Sequence, residues 1–295
     1  MEQIDGLLAV DKPAGWTSHD VVAAVRRTAG QRRVGHAGTL DPLATGLLAL
    51  GLGKGTRLLE YLAGGSKTYA ATVRLGAATD TYDADGAIVA ERPWQHVHRA
   101  EVERVLQERF TGPIMQRPPA YSAIKRAGVP LYRLARRGDA VTPEPRPITI
   151  YHIMLTRFEP PELEFEVECS GGTYVRSLAH DLALALDTAA HLTALRRTRL
   201  GTLSLRDALP LAELRAGGRE TLLAALLALD RPVWHLPAVI VNAAHTGAIS
   251  RGQPLPSAQR ASQCRAYSAD GAFLAVLRYD ERATAWLPAK VMVAR

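Results

Sequence analysis

Two alternating runs, almost adjacent, constrain this chain more than any other feature. In Glu162–Cys169 the side chains of Glu162, Glu164, Glu166 and Glu168 fall on one parity, and Leu163, Phe165, Val167 and Cys169 fall on the other. A period of two with apolar groups on one side is the mark of a half-buried strand. Ile148–Phe158 alternates in the same way, and Pro160-Pro161 lies between the two runs. The acidic parity predicts a face that a polyanion avoids.

The remaining segments place helices beside such strands without a regular βαβ rhythm. Lys67–Gly76 alternates as a strand, Leu47–Gly53 reads as a buried one, and Ala87–Ala90 as a short one after the turn Asp80–Gly86. Helices are expected from a Ser18 cap through Val21, Val22 and Val25 to Gly30, over Arg57–Gly65 behind a Thr56 cap, and over Arg99–Phe110. Two more are expected over Gly128–Gly138, with Pro130 in the first turn, and over Ser177–Leu186. This order favours an α+β class over a doubly wound parallel sheet.

At 295 residues, two domains are expected. Charge divides the chain unevenly. Residues 1–230 carry 28 basic and 26 acidic side chains, whereas 231–295 carry eight and three. The basic excess and the short apolar runs of the tail, such as Ala272–Tyr279, predict a small β-rich unit over 231–295 that meets a polyanion, with Asp230-Arg231-Pro232 as the linker. Two cysteines, Cys169 and Cys264, supply neither a disulfide framework nor a Cys-rich metal site. The start lacks a signal-peptide pattern, and the longest apolar run, Leu222–Leu229, is far shorter than the ~20 residues that span a bilayer. A soluble, cytoplasmic protein that binds no metal is the expectation.

Chemistry concentrates in Gly35–Gly46, GHAGTLDPLATG. Its glycines permit close backbone approach, and it carries one imidazole, His36, and one carboxylate, Asp41, restrained by Pro42. An Asp-Pro pair in a loop is most often a turn. Two further segments supply what a site would add: Lys67-Thr68-Tyr69, and Gly171–Arg176, where Arg176 could neutralise a buried carboxylate.

Taken together, GHAGTLDPLATGLL and KPAGWTSHDVV resemble the TruB-type tRNA pseudouridine synthases. KTYAATVRLGAATDTYDADG, QRPPAYSAIKRAGVPLYRLARRG, CSGGTYVRSLAHDL and LRRTRLG follow in the family's order, so the resemblance covers about residues 5–205. The tail is similar to the small PUA-like RNA-binding domain. The resemblance implies a pseudouridine synthase fold, a mixed, largely antiparallel sheet flanked by helices. It implies that uridine 55 in the T-loop of tRNA is isomerised to pseudouridine, without metal or nucleotide cofactor, by a monomer needing no obligate protein partner. It puts Asp41 in the role of the essential carboxylate, Arg176 as its partner and Tyr69 against the uracil. His36 would fill the space left by the extruded base, and Asp83 would belong to the site. Tyr174, Lys12 and Lys67 are further substrate-binding candidates, and Lys125 a possible phosphate contact. Two departures stand out: Gly171, where many relatives carry Lys, and Leu203, where an aromatic is usual. A tRNA-remodelling protein and a guide-RNA-dependent synthase are the alternatives the same features allow.

Overall fold

A computed structural model describes residues 3–122, 124–126, 128–130, 143–256 and 261–293, with only the backbone at 125, 126, 129 and 130. Ten strands build the main sheet. They are β1 (Gly6–Lys12), β2 (Val34–Ala37), β3 (Thr45–Leu52), β4 (Lys67–Leu75), β5 (Gly112–Gln116), β6 (Arg146–Glu159), β7 (Glu162–Cys169), β8 (Ala190–Leu200), β9 (Leu203–Ser204) and β10 (Ala208–Pro210). Their order is β10-β1-β3-β8-β4-β7-β6-β5, with β9 on β8 and β2 on β3. Only β1–β10 and β3–β8 pair in parallel, so the sheet is mixed and largely antiparallel.

The half of the sheet nearest β1 is covered on both faces. Leu8, Val10, Leu48 and Leu50 enter the larger core, while Leu7, Ala9, Leu47 and Ala49 enter a smaller one on the other face. Burial on both faces explains why β3 reads as an unbroken apolar run and not an alternating one. Leu203 is buried in the smaller core. Farther out, β4 and β7 bury one parity against helices α3 (Arg99–Arg109) and α4 (Val175–Ala185), while β6 breaks the expected alternation at an irregularity after Ile150, burying Ile148 and Ile150 before it and Ile153 and Leu155 beyond it. Their other parity stays open. There Glu166 is exposed, and Arg157 pairs with Glu162 and Glu164 at 3.4 and 2.8 Å.

Several boundaries differ from the sequence expectation, each for a local reason. Helix Ser18–Ala29 is capped by Thr17, not Ser18: Thr17 and Asp20 form a capping box, which frees Ser18 for another task. Thr56 caps no helix. The chain leaves β3 through Gly53, at φ 53°, into a 3₁₀ stretch Gly53–Leu58, where Thr56 Oγ1 donates to the Gly53 carbonyl. Helix α4 begins at Val175, two residues early, so Arg176 lies within its first turn and not ahead of it. The expected helix Gly128–Gly138 falls largely outside the described residues, and its start, Val129–Pro130, pairs as a strand with Lys125–Arg126.

The tail forms a five-stranded sheet between Ala238 and Val291 around Ile249, Leu255, Cys264, Leu274, Leu277 and Trp286. Asp230–Pro232 is not a free linker. Pro232 and Val233 are buried, and Val233 joins Leu58, Val276 and Met292 in a cluster that ties the tail to the main sheet. Lys290 pairs with Glu60 at 2.5 Å across the same junction. Among the described residues, no helix is long and apolar enough to cross a membrane.

Candidate active site

The loop between β2 and β3 carries Asp41, and it is fixed from three sides. Ser18 Oγ donates to the Leu40 carbonyl (3.1 Å) and accepts from the Leu40 amide (2.9 Å), holding the peptide that precedes Asp41. Lys12 Nζ donates to the carbonyls of Pro13, Trp16 and Pro42 at 2.9, 2.7 and 3.2 Å. Arg197 donates through Nη2 to Gly38 and through Nε to Leu47, at 2.7 and 2.8 Å. Gly46 makes the close approach to β8 possible: at φ 96°, a Cβ there would lie 2.4 Å from the Arg197 carbonyl oxygen.

Arg176 connects this loop to the Asp80–Gly86 turn. Its Nε lies 3.0 Å from Asp41 Oδ2, and its Nη1 3.3 Å from Asp83 Oδ2. Nη1 also donates to Thr81 O and Nη2 to Tyr121 O, both at 3.0 Å. Asp83 Oδ1 accepts from Thr81 Oγ1 at 2.6 Å. Between Thr81 and Asp83, Tyr82 takes φ 65° and stacks its ring on His180, with centroids 4.0 Å apart. A side chain other than glycine held there signals a turn fixed by its surroundings. Gln116, from β5, clamps the entry to α4 by accepting from the Tyr174 amide (2.8 Å) and donating to its carbonyl (3.0 Å). That supplies from a distant strand the cap that no local side chain provides.

The electrostatics oppose each other at Asp41. Burial pushes its pKa above the ordinary carboxylate range, Arg176 pulls it down, and the Asp83 charge adds to the rise. The side chain still keeps 43% of its surface, so the carboxylate is reachable from solvent while its other sides are walled by protein. Burial also raises Tyr69, against the charge of Arg197, and lowers His36. Beside the loop, a cleft of about 670 Å³ is lined by Pro42, Leu43, Thr45, Asp85, Leu195 and Arg196 among others.

The structure thus brings Asp41, Arg176 and Asp83 together, and Asp83 is buried behind Arg176 as its second carboxylate. Tyr69 is 7% exposed on β4, and Tyr174 precedes the helix that carries Arg176. His36 meets Thr39 Oγ1 at 3.1 Å and lies edge-on to His19. Lys12 and Lys67 do not present charge to an incoming phosphate. Lys12 is fully buried on its three carbonyls, with burial lowering its pKa to about 8. Lys67 donates to the carbonyls of Ala63 and Gly65. Both lysines are buried cations that hold turns. A Cβ at Gly171 would come within 3.3 Å of Lys67 Nζ, so the missing side chain there leaves room for that ammonium. The Lys125 side chain lies outside the described residues. Ser18, Gln116 and Arg197 were missed as site residues; only Arg197 carried a signal, sharing the buried parity of Leu195 on β8.

Residues 26–175 match the family model described as TruB family pseudouridylate synthase, N-terminal domain, and residues 176–233 match tRNA pseudouridylate synthase B C-terminal domain. The tRNA pseudouridine synthase B of Dehalococcoides mccartyi is 42% identical over 293 residues, covering 98% of this chain and 97% of that one. The tRNA pseudouridine synthase B of Thermobifida fusca is 50% identical over 242 residues, covering 79% and 82%. Among solved structures, a Cbf5-Nop10-Gar1 complex aligns with a TM-score of 0.76 at 27% identity, covering 98% of this chain and 85% of that one. An H/ACA RNP bound to a substrate RNA containing 2'-deoxyuridine aligns with a TM-score of 0.74 at 25% identity, covering 98% and 86%. With a family model over the loop that holds Asp41 and the strand that holds Tyr69, and a relative alike almost end to end, the chain belongs to the TruB family of pseudouridylate synthases.

Proposed function

We propose that this chain isomerises uridine 55 in the T-loop of tRNA to pseudouridine, with Asp41 as the essential carboxylate. One observation carries the reading. Asp41 commits Oδ2 to Arg176 while its side chain remains open to solvent, so an anion is held in place with Oδ1 left for a substrate. The tRNA assignment rests on relatives of 42–50% identity named tRNA pseudouridine synthase B; the proteins of the H/ACA RNP and of the Cbf5-Nop10-Gar1 complex stand at 25–27%. That difference favours a stand-alone enzyme.

The reaction breaks the bond from ribose C1′ to uracil N1, turns the base and rejoins it through C5. Atoms move within one nucleotide and no net oxidation occurs, so neither a redox cofactor nor a nucleotide is required. The Asp41 anion can attack C1′, add to uracil C6 or take a ribose proton, and the first two are covalent routes that divide one hard step into two easier ones. Reaching the sugar–base bond requires the uridine to leave its stack. Tyr69 then lies against the uracil, and His36 faces the vacated space. The tail, with eight basic and three acidic residues, contributes phosphate contacts.

The product has the mass of the substrate, so the decisive assay is tritium release from C5 of labelled uracil. A tRNA transcript should release tritium at the level of one uridine, and the same transcript with cytidine at position 55 should release none. Equal release from both transcripts would overturn the site assignment.

The acid limb of the reaction follows from the Asp41 environment. Its pKa is raised, so the reactive anion is lost at a higher pH than in an exposed aspartate near 3.9. Single-turnover rates should therefore fall on acidification with a midpoint above that value, while the circular dichroism of the chain is unchanged. A midpoint below it would place the catalytic anion elsewhere.

A further inference from the structure

Arg197 is fully buried, yet no carboxylate lies within ion-pair distance of it among the described residues. Two of its nitrogens have clear employment: Nε holds Leu47 in β3, and Nη2 holds Gly38 at the start of the Asp41 loop. These contacts account for a structural arginine. The third nitrogen does not fit that account. Nη1 is buried without a hydrogen-bond partner among the described residues, and a buried donor left unpaired is costly and calls for an explanation.

The strand register supplies one. Arg197 and Tyr69 are directly paired residues of the antiparallel strands β8 and β4, and both are buried. Side chains so paired stand about 5 Å apart at Cβ and interact. The same guanidinium presses on the loop, because a Cβ on Gly38 would meet Nη1 at 3.0 Å. Nη1 therefore sits between the loop that bears Asp41 and the ring expected to face the uracil. Its charge also acts on the Tyr69 phenol, favouring the ionised form against burial. Hydrogen bonds in an empty site are often long and shorten once substrate is seated.

We propose that Arg197 is a positioning residue that joins the Asp41 loop and the Tyr69 ring through one buried guanidinium, with Nη1 as the donor that orients the Tyr69 hydroxyl when RNA is bound. This rests on the pseudouridine synthase reading for its kinetic consequence, though not for the contact itself. Lysine keeps the charge but lacks the planar fork, so it cannot serve Leu47, Gly38 and Tyr69 together.

The test combines Arg197→Lys, Arg197→Gln and Tyr69→Phe, using whichever Arg197 variant retains a cooperative melt. In the wild-type background, the Arg197 substitution should slow single-turnover tritium release at least tenfold and change tRNA affinity less than threefold. In the Tyr69→Phe background, the same substitution should cost less than threefold, because the hydroxyl it served is gone. Equal losses in the two backgrounds, or a loss of binding that matches the loss of rate, would show Arg197 to be structural only. A second measurement needs no turnover: with ¹³Cζ-labelled tyrosine and tRNA bound, the resonance that disappears in Tyr69→Phe should shift in the Arg197 variant. An unmoved resonance overturns the proposal even if wild-type protein releases tritium. A shifted one upholds the contact even if it releases none, in which case only the reading of the reaction has failed.

Discussion

Asp41→Asn is expected to lower tritium release from tRNA by at least about 10⁴-fold, the scale seen when a group acting within a covalent mechanism is removed. The substitution keeps size and shape and takes away only the anion. Binding of tRNA should stay within about threefold, because phosphate contacts dominate affinity and Asp41 supplies none. The melting temperature should not fall, and the sign follows from the site. Burial raises the Asp41 pKa in the folded chain above its unfolded value, so ionisation favours the unfolded state. The contribution of this group to stability is full below the unfolded pKa, falls away as pH rises through the folded pKa, and is gone at neutral pH. Asparagine never ionises and escapes that loss, while Arg176 retains Asp83 as its partner at 3.3 Å. Turnover by the variant at wild-type rate would remove Asp41 from the mechanism and leave RNA remodelling as the better reading of the loop.

How much of this arrangement could be read from residues alone differs from group to group. The half-buried strands were legible because Glu162–Cys169 follows a period of two without exception, and β7 buries Leu163, Phe165, Val167 and Cys169 as that period requires. Asp41 and Arg176 were legible as a pair through the family resemblance of the two motifs that carry them; the residues alone showed only a carboxylate in a glycine-rich loop and an arginine able to neutralise a buried one. The Ser18 role was not legible. A serine ahead of a helix looks like a cap, and only the three-dimensional return of the Leu40 peptide shows that Thr17 caps and Ser18 binds the loop. Lys12 and Lys67 misled for a related reason. A lysine beside a proline or at a strand start is ordinarily solvated, and nothing local reveals that three carbonyls converge on Lys12 from Pro13, Trp16 and Pro42. Asp83 is intermediate: its turn was evident, but the positive φ of Tyr82, which lets the Thr81 carbonyl and the Asp83 carboxylate both reach Arg176, was not. Local pattern thus specified the elements, whereas long-range polar contacts decided which charged groups face substrate and which hold the scaffold.

Arg176 is where catalysis and stability meet, and its variants should separate the two. Its guanidinium serves four acceptors from three parts of the chain: Asp41, Asp83, Thr81 and Tyr121. Arg176→Ala leaves the buried Asp83 without a counter-charge, and breaking such a pair costs about 3–5 kcal/mol. The contribution from the more exposed Asp41 is smaller because solvent screens it. At about 2–4 °C per kcal/mol for a protein of this size, the melting temperature should fall by roughly 6–20 °C at neutral pH. Without the guanidinium, nothing opposes the burial that already raises the Asp41 pKa above its unfolded value, so Asp41 binds a proton more readily still in the folded chain. The deficit relative to wild type should therefore shrink as pH is lowered toward 5, while wild-type protein, whose pairs survive, changes less. Arg176→Lys restores a charge but not four directed donors, so it should recover most of the stability and still turn over about 10²–10³-fold more slowly than wild type. If lysine restored the rate along with the melt, a nearby positive charge would be all that Asp41 requires. If alanine melted like wild type at neutral pH, the buried Asp83 would not depend on Arg176 as its counter-charge, and the argument that this guanidinium stabilises the site through that ion pair would fail.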